Sequence, residues 1–262
     1  MSAAMPPRPW LMRPWLTRLA PVGFALSVLL LWQGLSVAQW ISPLFFPSPA
    51  RTLGALWAQA VDGRLWPPLT ATVLRMAWGW LAASLIGVLL GALIAGSPLI
   101  RRLLQPSLEF MRPLPASAII PVAVLAFGLS GTMSTVVIAF GSLWPVLLAS
   151  VQGFGAVDVR LREVTQVLRM SRLDAFIKVA LPSALPHILA GARVGLAVAL
   201  ILAVVTEMQA SLPGLGRNIL MAQRSFRTAE LYAGVVMLGL VGLLGSMALH
   251  RLEQRLLRWK SA

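Results

Sequence analysis

Apolar positions along the chain fall into long runs separated by short polar or basic stretches. The runs cover residues 22–41, 74–95, 113–129, 132–151, 184–205 and 231–250. A bilayer is crossed by roughly 20 predominantly apolar helical residues, so the pattern predicts six transmembrane helices in an all-α, polytopic membrane protein. Residues 128–131 (GLSG) leave room for only a tight connection between the third and fourth runs. The stretch 161–180 follows a different rhythm. Leu161, Val164 and Leu168 recur at i, i+3 and i+7, and Leu173, Phe176, Ile177 and Ala180 recur at i, i+3, i+4 and i+7. Each set is the apolar stripe of a short amphipathic helix. Arg160, Arg162, Glu163, Arg169, Arg172, Asp174 and Lys178 stand among them, which places this helix pair in water. Pro182 and Pro186 follow; proline is accepted in a first helical turn, so a new helix is expected to start there.

Two of the runs carry small residues every fourth position: Ala83, Gly87, Gly91 and Ala95 in the second, Gly191, Gly195, Ala199 and Ala203 in the fifth. In lipid that period lets helix backbones approach closely, and ordinary bundle packing accounts for it better than a role in a pore. Residues 42–69 mix prolines with aromatic residues and suit an outer loop with an interfacial helix near 50–60, with Trp57 and Trp66 at headgroup depth. Glu109 and Arg112, three apart, form a candidate surface ion pair.

Charge fixes the topology. Only 11% of residues are charged and 58% are hydrophobic, against about 25% charged in soluble domains. The net charge of +14 would suggest nucleic acid in a soluble chain, but its distribution points to a membrane. With six spans, the two ends, the 98–112 segment and the helix pair share one side. That side gathers fifteen Lys or Arg and the other six, so the first is cytoplasmic and both termini lie there. The basic start followed by an apolar run and Ser36-Val37-Ala38 also fits a cleavable signal peptide. An uncleaved first span is the better reading, because the run is long enough to cross.

Candidate chemistry is sparse. There is no cysteine, His187 and His250 stand apart from any acid cluster, and no metal site is expected. The two lysines, Lys178 and Lys260, close no GxxxxGK[ST] phosphate loop, so the chain itself should not hydrolyse ATP. Arg193, near the inner end of the fifth run, is expected to reach the interface along its own stem. Glu207 ends that run on the outer side. Acids at a boundary are often merely interfacial, and this one is also a pathway candidate because ionisable groups near a span are rare.

Glu163, followed nineteen positions later by Pro182 after Leu181, resembles the EAA loop of the membrane permease subunits of bacterial ABC importers. Val164 and Thr165 stand where the two alanines belong, and Arg169 stands where the family has its turn glycine. A left-handed non-glycine residue costs roughly 1–2 kcal/mol, so the turn either bears that strain or takes another shape. The runs 70–91 and 106–131, Gly214-Leu215-Gly216 and the Leu-Glu-x-Arg-Leu-Leu-x-Trp tail are similar to the nitrate, sulfonate and taurine branch.

The resemblance implies a type-1 permease: basic tail 1–20, first span 21–41, core domain 66–250 with coupling loop 156–182, and basic tail 251–262. It implies that Glu163, Val164, Thr165, Arg169, Met170, Ser171, Leu181 and Pro182 couple to a separate cytoplasmic ATPase, present in two copies, which binds the ATP. No cofactor is held by this chain. A second permease copy and an extracytoplasmic binding protein are the other expected partners, the setting is the bacterial inner membrane, and the cargo is a small anion such as a sulfonate, taurine or nitrate. The small-residue faces also suggest pairing of two copies. Pro115, Ser117 and Glu207 are the candidates for the translocation path.

Three other readings compete. An amphipathic pair lying on anionic lipid would explain the charged stretch without an ATPase. An ion-coupled secondary carrier would need charged groups near mid-bilayer, and the span centres hold none. A membrane enzyme would need a nucleophile, base or metal constellation, which two isolated histidines and eight acids do not supply.

Overall fold

A computed structural model describes residues 14–38, 42, 44–111 and 113–258, and among these it is helical throughout, with no strand. In order, α1 (Pro14–Val37) is followed by α2 (Pro49–Val61), α3 (Trp66–Gly96) and α4 (Pro98–Met111). A 3-10 turn (Ala116–Ile119) leads into α5 (Ile120–Phe127), then α6 (Gly131–Gly155), α7 (Val159–Val167) and α8 (Arg172–Ala175). One π-type turn (Phe176–Ala180) joins α8 to α9 (Leu181–Ala210), and α10 (Leu215–Arg224) and α11 (Thr228–Leu256) complete the chain. Local sequence sets several of these ends. Ser48, Ser130 and Ser171 cap α2, α6 and α8 by accepting the backbone N–H three residues on, the preferred role of serine at a helix start. Gly128, at φ +67°, makes the sharp exit from α5 that a side chain would penalise. A helix stands where one is expected at 50–60: it is α2.

The core is a three-helix sandwich with α6 in the middle. Gly79, Gly87 and Gly91 of α3 lie directly on Ile138, Val146 and Ser150 of α6, and Gly191 and Gly195 of α9 lie on Ala149 and Val146 from the other side. A Cβ at Gly79, Gly91 or Gly191 would overlap its neighbour. Both small-residue rows are therefore spent inside one chain, so they offer no support for pairing of two copies. Because lipid tails are as apolar as leucine, close van der Waals packing of this kind does most to hold helices together in a bilayer. Met133, Val137, Ile138, Ala199, Leu202 and Ala203 fill the half of the sandwich toward the start of α6, and Phe154, Ala184 and Ile188 the half toward its end.

One expectation needs correction and another refinement. Among the described residues four helices are long and apolar enough to cross a membrane: α3, α6, the continuous rod Arg172–Ala210, and α11. The run 113–129 is not one straight span. Proline at 113, 115 and 121 breaks it into the 3-10 turn and the eight-residue α5, because proline lacks the donor a helix interior needs. With α4 it makes at most one broken fifth span, and α1 carries the apolar stretch Gly23–Val37 where the first span is expected. The refinement concerns Pro182. It stands in the first turn of α9, as expected of a proline, but the chain does not break before it: α8, the wide turn and α9 run on as one rod from Arg172. A proline ring collides with the carbonyl four residues back, here that of Lys178, and the wide turn at 176–180 falls where it relieves that collision.

Candidate functional site

The charged stretch folds as the periodicity requires, into α7 and α8 joined by a four-residue elbow. Asp158 caps α7 through the Arg160 N–H at 2.8 Å. At its other end Arg169 N–H donates to the Gln166 carbonyl and Met170 N–H to the Thr165 carbonyl, both at 3.0 Å. That pair of bonds is the Schellman closure of a helix, and its left-handed position is usually glycine. Here Arg169 occupies it at φ +47°, so the turn keeps the shape and bears the strain. Ser171 then starts α8 and also donates to the Asp174 carboxylate at 2.6 Å, which is paired with Lys178 at 2.6 Å.

Glu163, Val164, Arg169, Ser171 and the apolar residues Leu161, Leu168 and Ile177 are exposed, with Val167 at 82% and Leu173 at 67%. Thr165, Met170, Leu181 and Pro182 are half-buried toward the bundle. Behind the elbow, Phe176 stacks on Phe154 with ring centroids 5.6 Å apart. A cavity of about 270 Å³ lined by Ala92, Gly96, Phe154, Val157, Phe176 and Val179 lies beside that stack.

At the other end of the rod the structure builds a site that the sequence did not reveal. Glu207 is 0% exposed. Its carboxylate accepts from the Arg75 guanidinium at 2.5 Å, the Thr72 hydroxyl at 3.0 Å and the Gly216 N–H at 2.9 Å. Arg75, with its side chain 12% exposed, donates its other nitrogen to the Pro213 carbonyl at 3.2 Å. Thr72 accepts the Leu215 N–H at 2.9 Å. A Cβ at Gly214 or Gly216 would overlap Glu207 or the α9 backbone, so glycine is needed there for close approach. Immediately before Glu207, Thr206 of α9 shares a hydrogen bond of 2.5 Å with Ser134 of α6.

The remaining candidates lie apart from both sites. Pro115 and Ser117 are exposed on the broken segment, whose Ala116 sits beside Gly141 near the middle of α6. Arg193 is paired with Glu253 of α11, which also faces His250 at 3.7 Å. Glu109 takes the Gln105 amide at 2.8 Å, and its expected partner Arg112 lies outside the described residues. So do residues 1–13 and 259–262, which hold Arg8, Arg13 and Lys260 of the basic tails. Among the described residues no group of three His, Asp or Glu could hold a metal ion.

A family model described as "Binding-protein-dependent transport system inner membrane component" matches residues 83–261. A putative aliphatic sulfonates transport permease protein of Bacillus subtilis (strain 168) is 31% identical over 235 residues, covering 90% of this chain and 85% of the relative. The taurine transport system permease protein of Escherichia coli (strain K12) is 33% identical over 244 residues, 91% of this chain and 88% of its own. The crystal structure of an amino acid ABC transporter superposes with a TM-score of 0.59 over 72% of this chain and 92% of that one, at 21% identity. At that identity the last likeness bears on the fold alone.

Proposed function

The chain belongs to the family of binding-protein-dependent transport inner membrane components, and from that premise we propose that it is the path-forming subunit of an ATP-driven importer of small anions such as sulfonates, taurine or nitrate. It is a multi-pass membrane permease. The observation that carries the proposal is the elbow: two short helices with an apolar stripe left bare, set at one end of a helical rod that crosses the whole bundle. A bare stripe in water is a binding surface, and a rod transmits what is done to it.

Glu163 with Val164, Thr165, Arg169, Met170 and Ser171 forms the contact with a cytoplasmic ATPase, and Leu181-Pro182 leads from that contact into the bundle. The ATP sits on that partner, in two copies, one for each of two permease chains. The basic ends and elbow set this side in the cytoplasm of a bacterial cell and the 211–227 side outside, where a binding protein delivers the cargo.

The path itself is assigned to the face bearing Pro115 and Ser117. Irregular backbone at membrane depth is tolerated only where protein buries it or water lines it, and residues 113–117 are largely exposed in a single chain. A second copy closing over that face accounts for it. Glu207 is enclosed and is left out of the path.

Reconstituted vesicles test this reading. Uptake of a labelled sulfonate is expected only when this chain, an ATPase subunit, ATP and a binding protein are all present. Uptake driven by a proton or sodium gradient without ATP would overturn it.

A further inference from the structure

We propose that Glu207 is a positioning residue that makes α10 the outer end of the same lever whose inner end is the elbow, so that movement at the ATPase contact reaches the outer surface through α9. The inference rests on the importer reading above. The rod Arg172–Ala210 has 39 residues, about 58 Å at 1.5 Å per residue, and a bilayer with its headgroups is only about 40–45 Å thick. It therefore joins both surfaces by itself. What happens beyond its outer end depends on the turn 211–214.

Left alone, that turn would be a swivel. Ser211 is left-handed at φ +52° and ends α9, Gly214 is fully extended, and no side chain of its own caps α10. The clamp removes the freedom. The N–H groups of Leu215 and Gly216, which begin a helix and have no partner within it, are taken by Thr72 of α3 and Glu207 of α9. Arg75 holds the Pro213 carbonyl on the same side. Gly214 and Gly216 bring the backbone into direct contact with Glu207, and there is no space for slack. Three elements thus close on one carboxylate, and α10 is obliged to follow α9 and α3. Its outward Arg217 and Arg224 are exposed and make no ion pair among the described residues. They offer a cationic face to an acidic surface of the extracytoplasmic binding protein.

The test uses the full complex in nanodiscs, with ATP hydrolysis measured with and without loaded binding protein. The variants are Glu207→Gln, which keeps the volume and removes the charge, Thr72→Val and Thr72→Ser. Glu207→Gln and Thr72→Val are expected to assemble and to hydrolyse ATP at the unstimulated rate of the parent. Their stimulation by binding protein should fall by at least about fivefold, the low end of ordinary coupling between sites. Thr72→Ser keeps the hydroxyl and should keep the stimulation. The proposal is overturned if Glu207→Gln and Thr72→Val are stimulated like the parent, or if either loses stimulated and unstimulated hydrolysis in equal proportion. Should Glu207→Gln fail to assemble, the Thr72 pair decides alone. A parent complex that shows no stimulation at all would overturn the importer reading, and this proposal with it.

Discussion

The two ends of the rod are built on opposite plans. At the clamp end the buried carboxylate finds all its partners inside the chain: Glu207 is sealed by Arg75, Thr72 and the Gly216 N–H. At the other end the elbow leaves Leu161, Val167 and Leu173 exposed, closes its turn with a strained arginine and rests against a cavity. A buried charge is tolerable only when it is paired and hydrogen-bonded, so the clamp admits one arrangement and serves as a fixed joint. The elbow has no such completeness by itself. The contrast separates a joint that keeps its geometry from a surface left apolar and open.

Perturbing each end should give different losses. Glu207→Ala leaves Arg75 facing an empty pocket, and breaking a buried pair in this way costs about 3–5 kcal/mol; thermal unfolding of the purified chain in detergent should show a correspondingly large fall. Val167→Asp with Leu173→Asp should leave that unfolding temperature where it is, because both side chains are exposed. Affinity for the ATPase subunit should drop by about 2 kcal/mol, as when interface anchors are lost, which titration against the separate subunit would read. A fall in stability from the elbow pair, or none from Glu207→Ala, would erase the distinction drawn between the ends. Smallest is Arg169→Gly, which relieves a left-handed side chain worth about 1 kcal/mol; slower amide exchange across residues 166–171 is the expected sign.

What the sequence disclosed and what it hid divide along the same line. The elbow was legible because all its signals are local: apolar period, charge density and a Leu-Pro at fixed spacing. Even the unusual Arg169 stands out in the sequence, though only the structure decides between strain and a different shape. The clamp was hidden because Thr72 and Arg75 stand 135 and 132 residues away from Glu207, and a lone acid at the end of an apolar run looks interfacial. The available hint was Thr72 and Arg75 three apart on one helix face, together with the closely spaced glycines of 214–216. The broken third run is signalled by its prolines and masked by a composition that is apolar throughout. The unbroken rod at Pro182 was not signalled at all, since a wide turn can absorb a proline that would otherwise begin a helix.

The place of α6 between α3 and α9 also has a consequence for how the protein is made. The glycine face of α3 leaves the ribosome long before the helix that fills it, and α6 in turn must wait for α9. Between Gly96 and Gly155 stand some sixty residues of chain, a delay on the order of seconds at the usual pace of synthesis. During that time α3 lies in the bilayer with its closest-fitting surface against lipid. Insertion factors that hold early helices near the exit site would shorten the search for their late-arriving neighbour.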